Sequence, residues 1–191
     1  LSAYTYGTGE FSGKGIDISN GYGYIITGNE IDLGGWATAL YGIQVIGGDV
    51  LIDGNRIRGA AFQQYSFAWF YGLYLRLNGT SNRVSNNLIY DHRKNVNGIF
   101  MDNAANTIVY HNTVVLSPGN SFVELNGLVL QSCSNIDVQN NLLVTHSGTG
   151  VTNRAVRGIG SNSGINFDYN ILYSEPFRID FEGTTYDSLA A

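Results

Sequence analysis

Short runs of alternating apolar and polar residues make up most of the chain. Residues 98–116 show this pattern clearly: Ile99 and Met101 alternate with Phe100 and Asp102, and two further β-branched runs follow a polar turn. A period of two with many β-branched residues is typical of strands rather than helices. The pattern therefore predicts three short strands and three corners in a unit of about 29 residues.

This unit recurs six times along the chain. A glycine opens the first run of each unit, and an asparagine 12 to 15 residues later precedes the third run. The glycines are Gly15, Gly42, Gly72, Gly98, Gly127 and Gly158, and the asparagines are Asn29, Asn55, Asn87, Asn112, Asn141 and Asn170. A period of 26 to 31 residues indicates stacked supersecondary units. We therefore expect each unit to form one turn of a solenoid, with each strand paired to its equivalent one turn on.

The repeated asparagine predicts a ladder inside the solenoid. Asn tolerates corners in or near the left-handed conformation, and its side-chain amide carries both donors and an acceptor. When coils stack in register, each amide can bond to the Asn or the backbone of the next coil. A single Asn would be an ordinary turn residue, but six at a near-constant distance from six glycines favour a ladder.

The repeated motif Gly-Ile-x-Ile followed by Asn-Asn-x-Leu resembles the right-handed parallel β-helix superfamily that includes the pectate lyases. The resemblance implies an all-β, right-handed parallel β-helix of about six coils. We expect a single domain over residues 1–191, with regular coils over about 15–173, an irregular tail over 174–191 and further chain outside this sequence. The superfamily contains lyases, hydrolases, epimerases, tailspikes and non-catalytic surface proteins, so the fold does not determine the activity.

Composition and charge narrow the classes of ligand. The net charge of −5 and the pI near 5.0 argue against nucleic acid, and no run of 18 apolar residues predicts a membrane span. The single Cys133 allows no internal disulfide, and we expect it to be a small, partly buried residue. The acidic residues Asp17, Asp102 and Glu124 are too spread out for a calcium site, so neither a metal nor another cofactor is predicted.

All long insertions follow the third strand of their unit, over residues 33–41, 58–71, 91–97, 117–126 and 145–157. Insertions collected on one side of a solenoid usually line its binding face. In the pectate-lyase-like proteins this edge borders the first strand, where substrate lies in a groove. Alternation along the first strands then predicts an outward row of Asp17, Gln44, Tyr74, Phe100, Val129 and Gly160, and a second of Ser19, Ile46, Arg76, Asp102, Gln131 and residue 161 or 162.

One cluster on these rows has the residues that a sugar site needs. Arg76 and Asp102 are expected side by side, with aromatic neighbours that can stack on pyranose rings and a basic loop at the edge. The resemblance implies a lyase or epimerase base and a group that neutralises a uronate carboxylate. The candidate catalytic residues are His92, Lys94, Arg76 and Asp102, and the candidate substrate-binding residues are Tyr41, Tyr65, Trp69, Tyr71, Tyr74, Arg93 and Arg157.

Simpler interpretations of the same residues stay open. The Arg76–Asp102 pair can be an ordinary cross-strand ion pair worth under about 1 kcal/mol. The aromatic insert over residues 62–71 can be a hydrophobic lid, a carbohydrate platform or a protein contact.

The function that these observations predict is an extracellular or cell-surface protein that interacts with a polysaccharide, either an acidic one or another plant, algal or bacterial glycan. If the protein is active, the prediction is a uronate lyase or epimerase. The alternative is a non-catalytic surface, adhesin or tailspike-like module, or an inactive piece of a carbohydrate-active enzyme. Without capping helices, the open coil ends also predict self-association. We expect Ser2–Thr8 to pair beneath Ile16–Ile18, and Phe177–Phe181 to lie across the far end as a cap.

Overall fold

The computed structural model describes residues 2–5, 12–35, 38–59, 69–91, 95–117, 124–146 and 152–186. Regular structure in these ranges consists of strands alone. They are β1 (Ser2–Thr5), β2 (Ser12–Tyr22), β3 (Ile25–Thr27), β4 (Glu30–Gly35), β5 (Ala39–Gly48), β6 (Leu51–Asp53), β7 (Arg56–Gly59), β8 (Trp69–Leu77), β9 (Asn82–Ser85), β10 (Leu88–Asp91), β11 (Asn95–Asp102), β12 (Ala105–Tyr110), β13 (Thr113–Leu116), β14 (Glu124–Gln131), β15 (Ser134–Gln139), β16 (Leu142–His146), β17 (Thr152–Ile159), β18 (Ser163–Asp168), β19 (Ile171–Glu175), β20 (Ile179–Phe181) and β21 (Thr184–Tyr186).

The strands stack into three sheets, and each regular coil contributes one strand to each sheet. The first-strand sheet has the order β2-β5-β8-β11-β14-β17-β20-β21, the second-strand sheet β3-β6-β9-β12-β15-β18, and the third-strand sheet β1-β4-β7-β10-β13-β16-β19. Every pairing is parallel except β20 with β21. The predicted parallel β-solenoid is therefore confirmed. The coil count is slightly lower than predicted, at about five turns, because five turns separate β2 from β17.

The predicted asparagine ladder is also confirmed. The side-chain oxygen of Asn112 accepts hydrogen bonds from the backbone N–H and the Nδ2 of Asn87, at 3.1 and 2.9 Å. Asn112 in turn donates its own N–H and Nδ2 to Asn141, and Nδ2 also reaches the carbonyl of Val84. The same bonds link Asn29, Asn55, Asn87, Asn112, Asn141 and Asn170 in one column.

The left-handed residue at this corner is the one before the ladder Asn, which corrects the expectation that the Asn itself bends the chain. The residues with positive φ, between 53° and 64°, are Gly28, Gly54, Asn86, His111, Asn140 and Tyr169. The turn thus uses one residue for the backbone bend and the next for the hydrogen bonds between coils.

Tight packing explains the glycine column. A Cβ on Gly98 would lie 2.3 Å from Val114 Cγ1 and 2.7 Å from the carbonyl oxygen of Gly127. In the sixth unit, Ala155 takes the place of the glycine. The two neighbours of Gly127, Asn126 and Leu128, pair with Arg154 and Val156, which are the two neighbours of Ala155. The prediction of Gly158 was therefore wrong by three residues. Its short offset of 12 residues to Asn170 was the signal of that error.

Both predictions about the chain ends need correction. Strand β1 pairs with β4, with Ser2 opposite Asp32, and not beneath Ile16–Ile18; residues 6–8 lie outside the described part. At the other end, β20 continues the first-strand sheet beside β17 and turns back as β21, instead of lying across the coil. In each case the strand follows the register of its own sheet.

The solenoid interior is filled by the inward aliphatic side chains of all three sheets. Cys133 is buried among them, its thiol 3.4 Å from the carbonyl oxygen of Met101, and burial raises the pKa of that thiol. This agrees with the expected role of a small space-filling residue.

Within the described ranges, no helix is long and apolar enough to cross a membrane.

Candidate functional site

The outward side chains of the first-strand sheet form three parallel rows, which we call the outer face. The first row is Lys14, Tyr41, Tyr71, Asn97, Asn126 and Arg154; the second is Asp17, Gln44, Tyr74, Phe100, Val129 and Arg157; the third is Ser19, Ile46, Arg76, Asp102, Gln131 and Ile159. Neighbours within a row are about 4.8 Å apart at the backbone. The second and third rows end in Arg157 and Ile159 rather than in the predicted Gly160 and residue 161 or 162, because the register there is set by Ala155 and not by Gly158.

Five aromatic side chains meet in the middle of the outer face. Tyr41 stacks on Tyr71 at 5.0 Å between ring centroids, and Tyr74 stacks on Phe100 at 5.5 Å. The two stacks meet edge to face, with Tyr71 5.7 Å from Tyr74, and Trp69 extends the first stack at 6.3 Å. This arrangement, here called the aromatic cluster, brings together the predicted residues Tyr41, Trp69, Tyr71 and Tyr74. Phe100 joins them, although sequence reasoning did not select it for the site.

The rings of the aromatic cluster cover one another's faces. Stacking between neighbouring strands turns the ring edges and hydroxyls, rather than the flat faces, toward solvent. Burial raises the pKa of Tyr71 to about 12, with nearby negative charge adding to it. Burial and the hydrogen bond to Asp102 raise the pKa of Tyr74 to about 12 as well. Both phenols are therefore neutral near pH 7, where they donate or accept hydrogen bonds.

Asp102 is the centre of a hydrogen-bond network beside the aromatic cluster. Its side chain is 5% exposed, although it points to the outside of the sheet. Oδ2 accepts hydrogen bonds from the Tyr74 hydroxyl at 2.8 Å and from Nε and Nη2 of Arg76. Oδ1 accepts from Nδ2 of Asn103 at 2.6 Å and from Nε2 of Gln131 at 3.2 Å.

The charge state of Asp102 follows from these contacts. Burial by itself would raise the pKa of this carboxyl, but the bonds from Arg76 and Tyr74 and the charge of Arg76 outweigh it and lower the pKa. Because the folded-state pKa is depressed, the network stabilises the fold above the unfolded pKa of Asp, and this contribution is lost as pH falls through the folded pKa. Near neutral pH, Asp102 is an ionised carboxylate surrounded by donors.

This arrangement positions its neighbours. Asp102 fixes the hydroxyl of Tyr74 and the guanidinium of Arg76, whose side chain is still 49% exposed. A half-exposed guanidinium held in one orientation can bind a carboxylate or hydroxyls. The predicted residues Tyr65, His92, Arg93 and Lys94 lie outside the described residues, so the catalytic assignment stays a prediction.

Arg157 lies in a second charged group, the arginine cluster, formed by Glu124, Arg154, Arg157, Arg178 and Asp180. Glu124 binds both Arg154, at 2.9 Å, and Arg157. Asp180 binds Arg154 and Arg178, and although burial opposes it, these two partners lower the pKa of Asp180. The cluster borders a polar cavity of about 410 Å³. Sequence reasoning missed Arg178 and Asp180 because it placed both in an irregular tail.

Among the residues that the structure describes, no three His, Cys, Asp or Glu side chains are grouped so that they could hold a metal ion.

The described residues thus form a parallel β-helix with a polar and aromatic outer face on its first-strand sheet. The chain matches the family model described as a right-handed β-helix region over residues 5–143, and it therefore belongs to the right-handed β-helix family. No curated protein and no solved structure matches the chain significantly. The family agrees with the resemblance drawn from the Gly and Asn repeat.

Proposed function

We propose that this protein binds a polysaccharide along its outer face. The observation that carries the proposal is the Asp102 network, in which a nearly buried carboxylate on the outside of a sheet fixes Tyr74 and Arg76. An exposed guanidinium held in this way loses little conformational freedom when it binds a ligand. The phenol groups of Tyr41 and Tyr71 lie in the neighbouring first row of the same face.

The dimensions of the outer face suit an extended ligand. Six neighbouring strands at about 4.8 Å give a strip roughly 24 Å long. It carries hydroxyls and a guanidinium in the middle and the arginine cluster at one end. Hydroxyl, amide and guanidinium groups bind sugar hydroxyls, and guanidinium groups also bind carboxylates. An acidic polysaccharide outside the cell or at its surface is the ligand class that we propose.

Binding without turnover is the form of this function that the described residues favour. Each oxygen of Asp102 already accepts hydrogen bonds, and Tyr71 and Tyr74 are neutral near pH 7, so none of the three is a ready base. Uronate lyase or epimerase chemistry is the second candidate. It would use His92 or Lys94 as the base and Arg76 as the carboxylate partner, as the pectate-lyase-like resemblance implies.

Affinity electrophoresis in gels containing alginate, polygalacturonate or neutral laminarin tests the binding. We expect retardation by at least one uronate polymer, and a roughly tenfold loss of affinity in Arg76→Ala, because a positioned charge contact is worth about 1.4 kcal/mol or more. Tyr71→Phe keeps the ring and removes only the hydroxyl, so it separates hydrogen bonding from packing. The matched controls are Arg56→Ala and Tyr173→Ala on the third-strand sheet, which should bind like the wild type.

Two outcomes decide between the candidates. Retardation without any unsaturated uronate product, measured by ultraviolet absorbance, supports binding alone. Product that disappears in His92→Ala combined with Lys94→Ala supports a lyase. The proposal fails if no polymer retards the wild type, or if the third-strand controls weaken binding as much as Arg76→Ala.

A further inference from the structure

The sequence contains four Asn-Gly pairs, which begin at Asn20, Asn78, Asn97 and Asn126. Asparagine is chemically labile, because the backbone nitrogen of the next residue can attack its side-chain carbonyl carbon and release ammonia. A glycine at the next position favours this attack, since it has no side chain to hinder the approach. The fold decides which of the pairs can react, because the reaction needs an accessible side-chain amide and a backbone N–H without another partner.

Two of the pairs are protected inside the first-strand sheet. Asn97 is 2% exposed and Asn126 is 0% exposed, and Nδ2 of Asn126 donates a hydrogen bond to Oδ1 of Asn97 at 2.8 Å. Their glycines, Gly98 and Gly127, lie within β11 and β14 and pack against the backbone of the following strand. Reaction at either pair would therefore require local opening of the sheet.

Asn78 has different surroundings, at the exposed corner between β8 and β9. Its backbone N–H donates to the carbonyl of Gly47 at 2.9 Å, which continues the pairing of β8. In the part of the chain that the structure describes, neither the side-chain amide of Asn78 nor the N–H of Gly79 makes a hydrogen bond. The two reacting groups of this pair are therefore not held by competing partners there.

Packing at the same corner requires the glycine. A Cβ on Gly79 would lie 2.1 Å from the backbone nitrogen of Asp49, so another residue would force the backbone to shift. Oδ1 of Asp49 accepts hydrogen bonds from the N–H groups of Thr80 and Ser81, at 2.8 and 3.0 Å, and these bonds fix the chain after the glycine. The reactive pair is thus a consequence of close packing between neighbouring coils.

We propose that Asn78 is a site of spontaneous deamidation in the folded protein. The nitrogen of Gly79 forms a bond to Cγ of Asn78, the side-chain nitrogen leaves as ammonia, and a cyclic imide results. Water then adds to the imide and opens it, which leaves either aspartate or isoaspartate at this position. Each reacted molecule therefore gains a carboxylate, and the isoaspartate form also lengthens the backbone next to the bonds of Asp49.

The new carboxylate would lie beside the guanidinium that we propose binds the polysaccharide. Asn78 follows Arg76 by two residues on the same side of the chain, roughly 7 Å away at the backbone. Leu77, between them, is fully buried on the inner side. A negative charge at this position would attract Arg76 and repel an acidic ligand. This consequence rests on the proposed function, whereas the deamidation itself does not.

Peptide mapping by mass spectrometry, after incubation of the native protein at mildly alkaline pH, tests the modification. We expect Asn78 to react at least about tenfold faster than Asn97 and Asn126, because reaction at those two first requires opening of the sheet. In urea, where the sheet is unfolded, the three residues should react at similar rates. The proposal is overturned if Asn78 stays intact in the native protein but reacts in urea. It is also overturned if Asn97 and Asn126 react as fast as Asn78 in the folded protein.

Affinity electrophoresis tests the effect on the ligand separately. Asn78→Asp should bind a uronate polymer about two- to threefold more weakly at low salt, with a smaller difference at high salt. Asn78→Gln should bind like the wild type, and so should the matched control Asn166→Asp, which adds the same charge on the second-strand sheet. Equal binding by Asn78→Asp and the wild type overturns the link to Arg76. If the wild type binds no polymer, the proposed function fails, while peptide mapping still decides the deamidation.

Discussion

The ladder asparagines between the two ends of the column use their amides in both directions. At Asn112 the oxygen serves the coil before it, while the N–H groups serve the coil after it and the carbonyl of Val84. Neither Asp, which has no donor, nor Ser, which has a single donor, could replace all of these bonds. The neighbouring left-handed residue, here His111, bends the backbone so that the amide points inward.

Replacing Asn112 by alanine should therefore destabilise the fold strongly. The change leaves the N–H and Nδ2 of Asn87 and the carbonyl of Val84 without their partner in a buried site, and each such group costs about 1–3 kcal/mol. We expect the free energy of unfolding in urea to fall by at least about 3 kcal/mol. Asn166→Ala is the control, because its exposed amide makes only one bond, to Asp137. A loss under about 1 kcal/mol in Asn112→Ala would mean that water replaces the ladder bonds.

At the candidate site, the sequence predicts single contacts better than it predicts assemblies. The pairing of Arg76 with Asp102 follows from two-residue alternation and a constant repeat. The same logic put Gly160 in the position that Arg157 holds opposite Val129, since a single misaligned glycine shifts the register of the whole strand. The stacking of Tyr74 on Phe100 and the bonds of Asn103 and Gln131 to Asp102 depend on side-chain rotamers, which the sequence pattern does not encode.

At the scale of the element, the glycine column sets how closely the first and third strands approach. The first-strand glycine lies against the aliphatic residue two positions after the ladder Asn, for example Gly72 against Ile89 and Gly98 against Val114. The glycine and the asparagine of the repeat thus mark the two sides of one contact, between the first and the third strand of a coil. Ala155 fills the same position in the last complete coil.

A methyl group at Gly98 should create a clash with a specific partner. The new Cβ of Gly98→Ala would overlap Val114, and we expect a loss of about 2–3 kcal/mol in the free energy of unfolding. Val114→Ala removes the overlapping methyl groups, so the double variant should be more stable than the sum of the two single changes. The matched cycle uses Val109→Ala, a buried valine of the same coil that is not among the nearest neighbours of a Cβ at Gly98, and its effects should add. Simple additivity in both cycles would contradict the contact.

At the scale of the whole molecule, local repetition accounts for nearly all of the fold. Every coil packs against its neighbours in the same way. The repeated unit therefore predicts the period, the strand type, the ladder and the parallel stacking. The ends and the loops do not repeat, so the sequence misplaced β1 and β20, whose positions depend on sheet edges rather than on the motif. The outer face can be predicted only in part, because its register repeats while its side chains differ from coil to coil.

In a solenoid of this kind, the backbone amides of the end coils should be less protected from hydrogen exchange than those of the central coils. Each coil contacts only its neighbours, so a terminal coil opens at a lower free energy than a central one. We expect native-state amide exchange to be at least about tenfold faster in β3, at the N-terminal end of the second-strand sheet, than in β12 at its centre, since tenfold corresponds to only about 1.4 kcal/mol. Asn112→Ala should speed exchange mainly in β12 and its neighbours β9 and β15, while β3 keeps its wild-type rate. Equal exchange rates in β3 and β12 would show instead that all coils open as one cooperative unit.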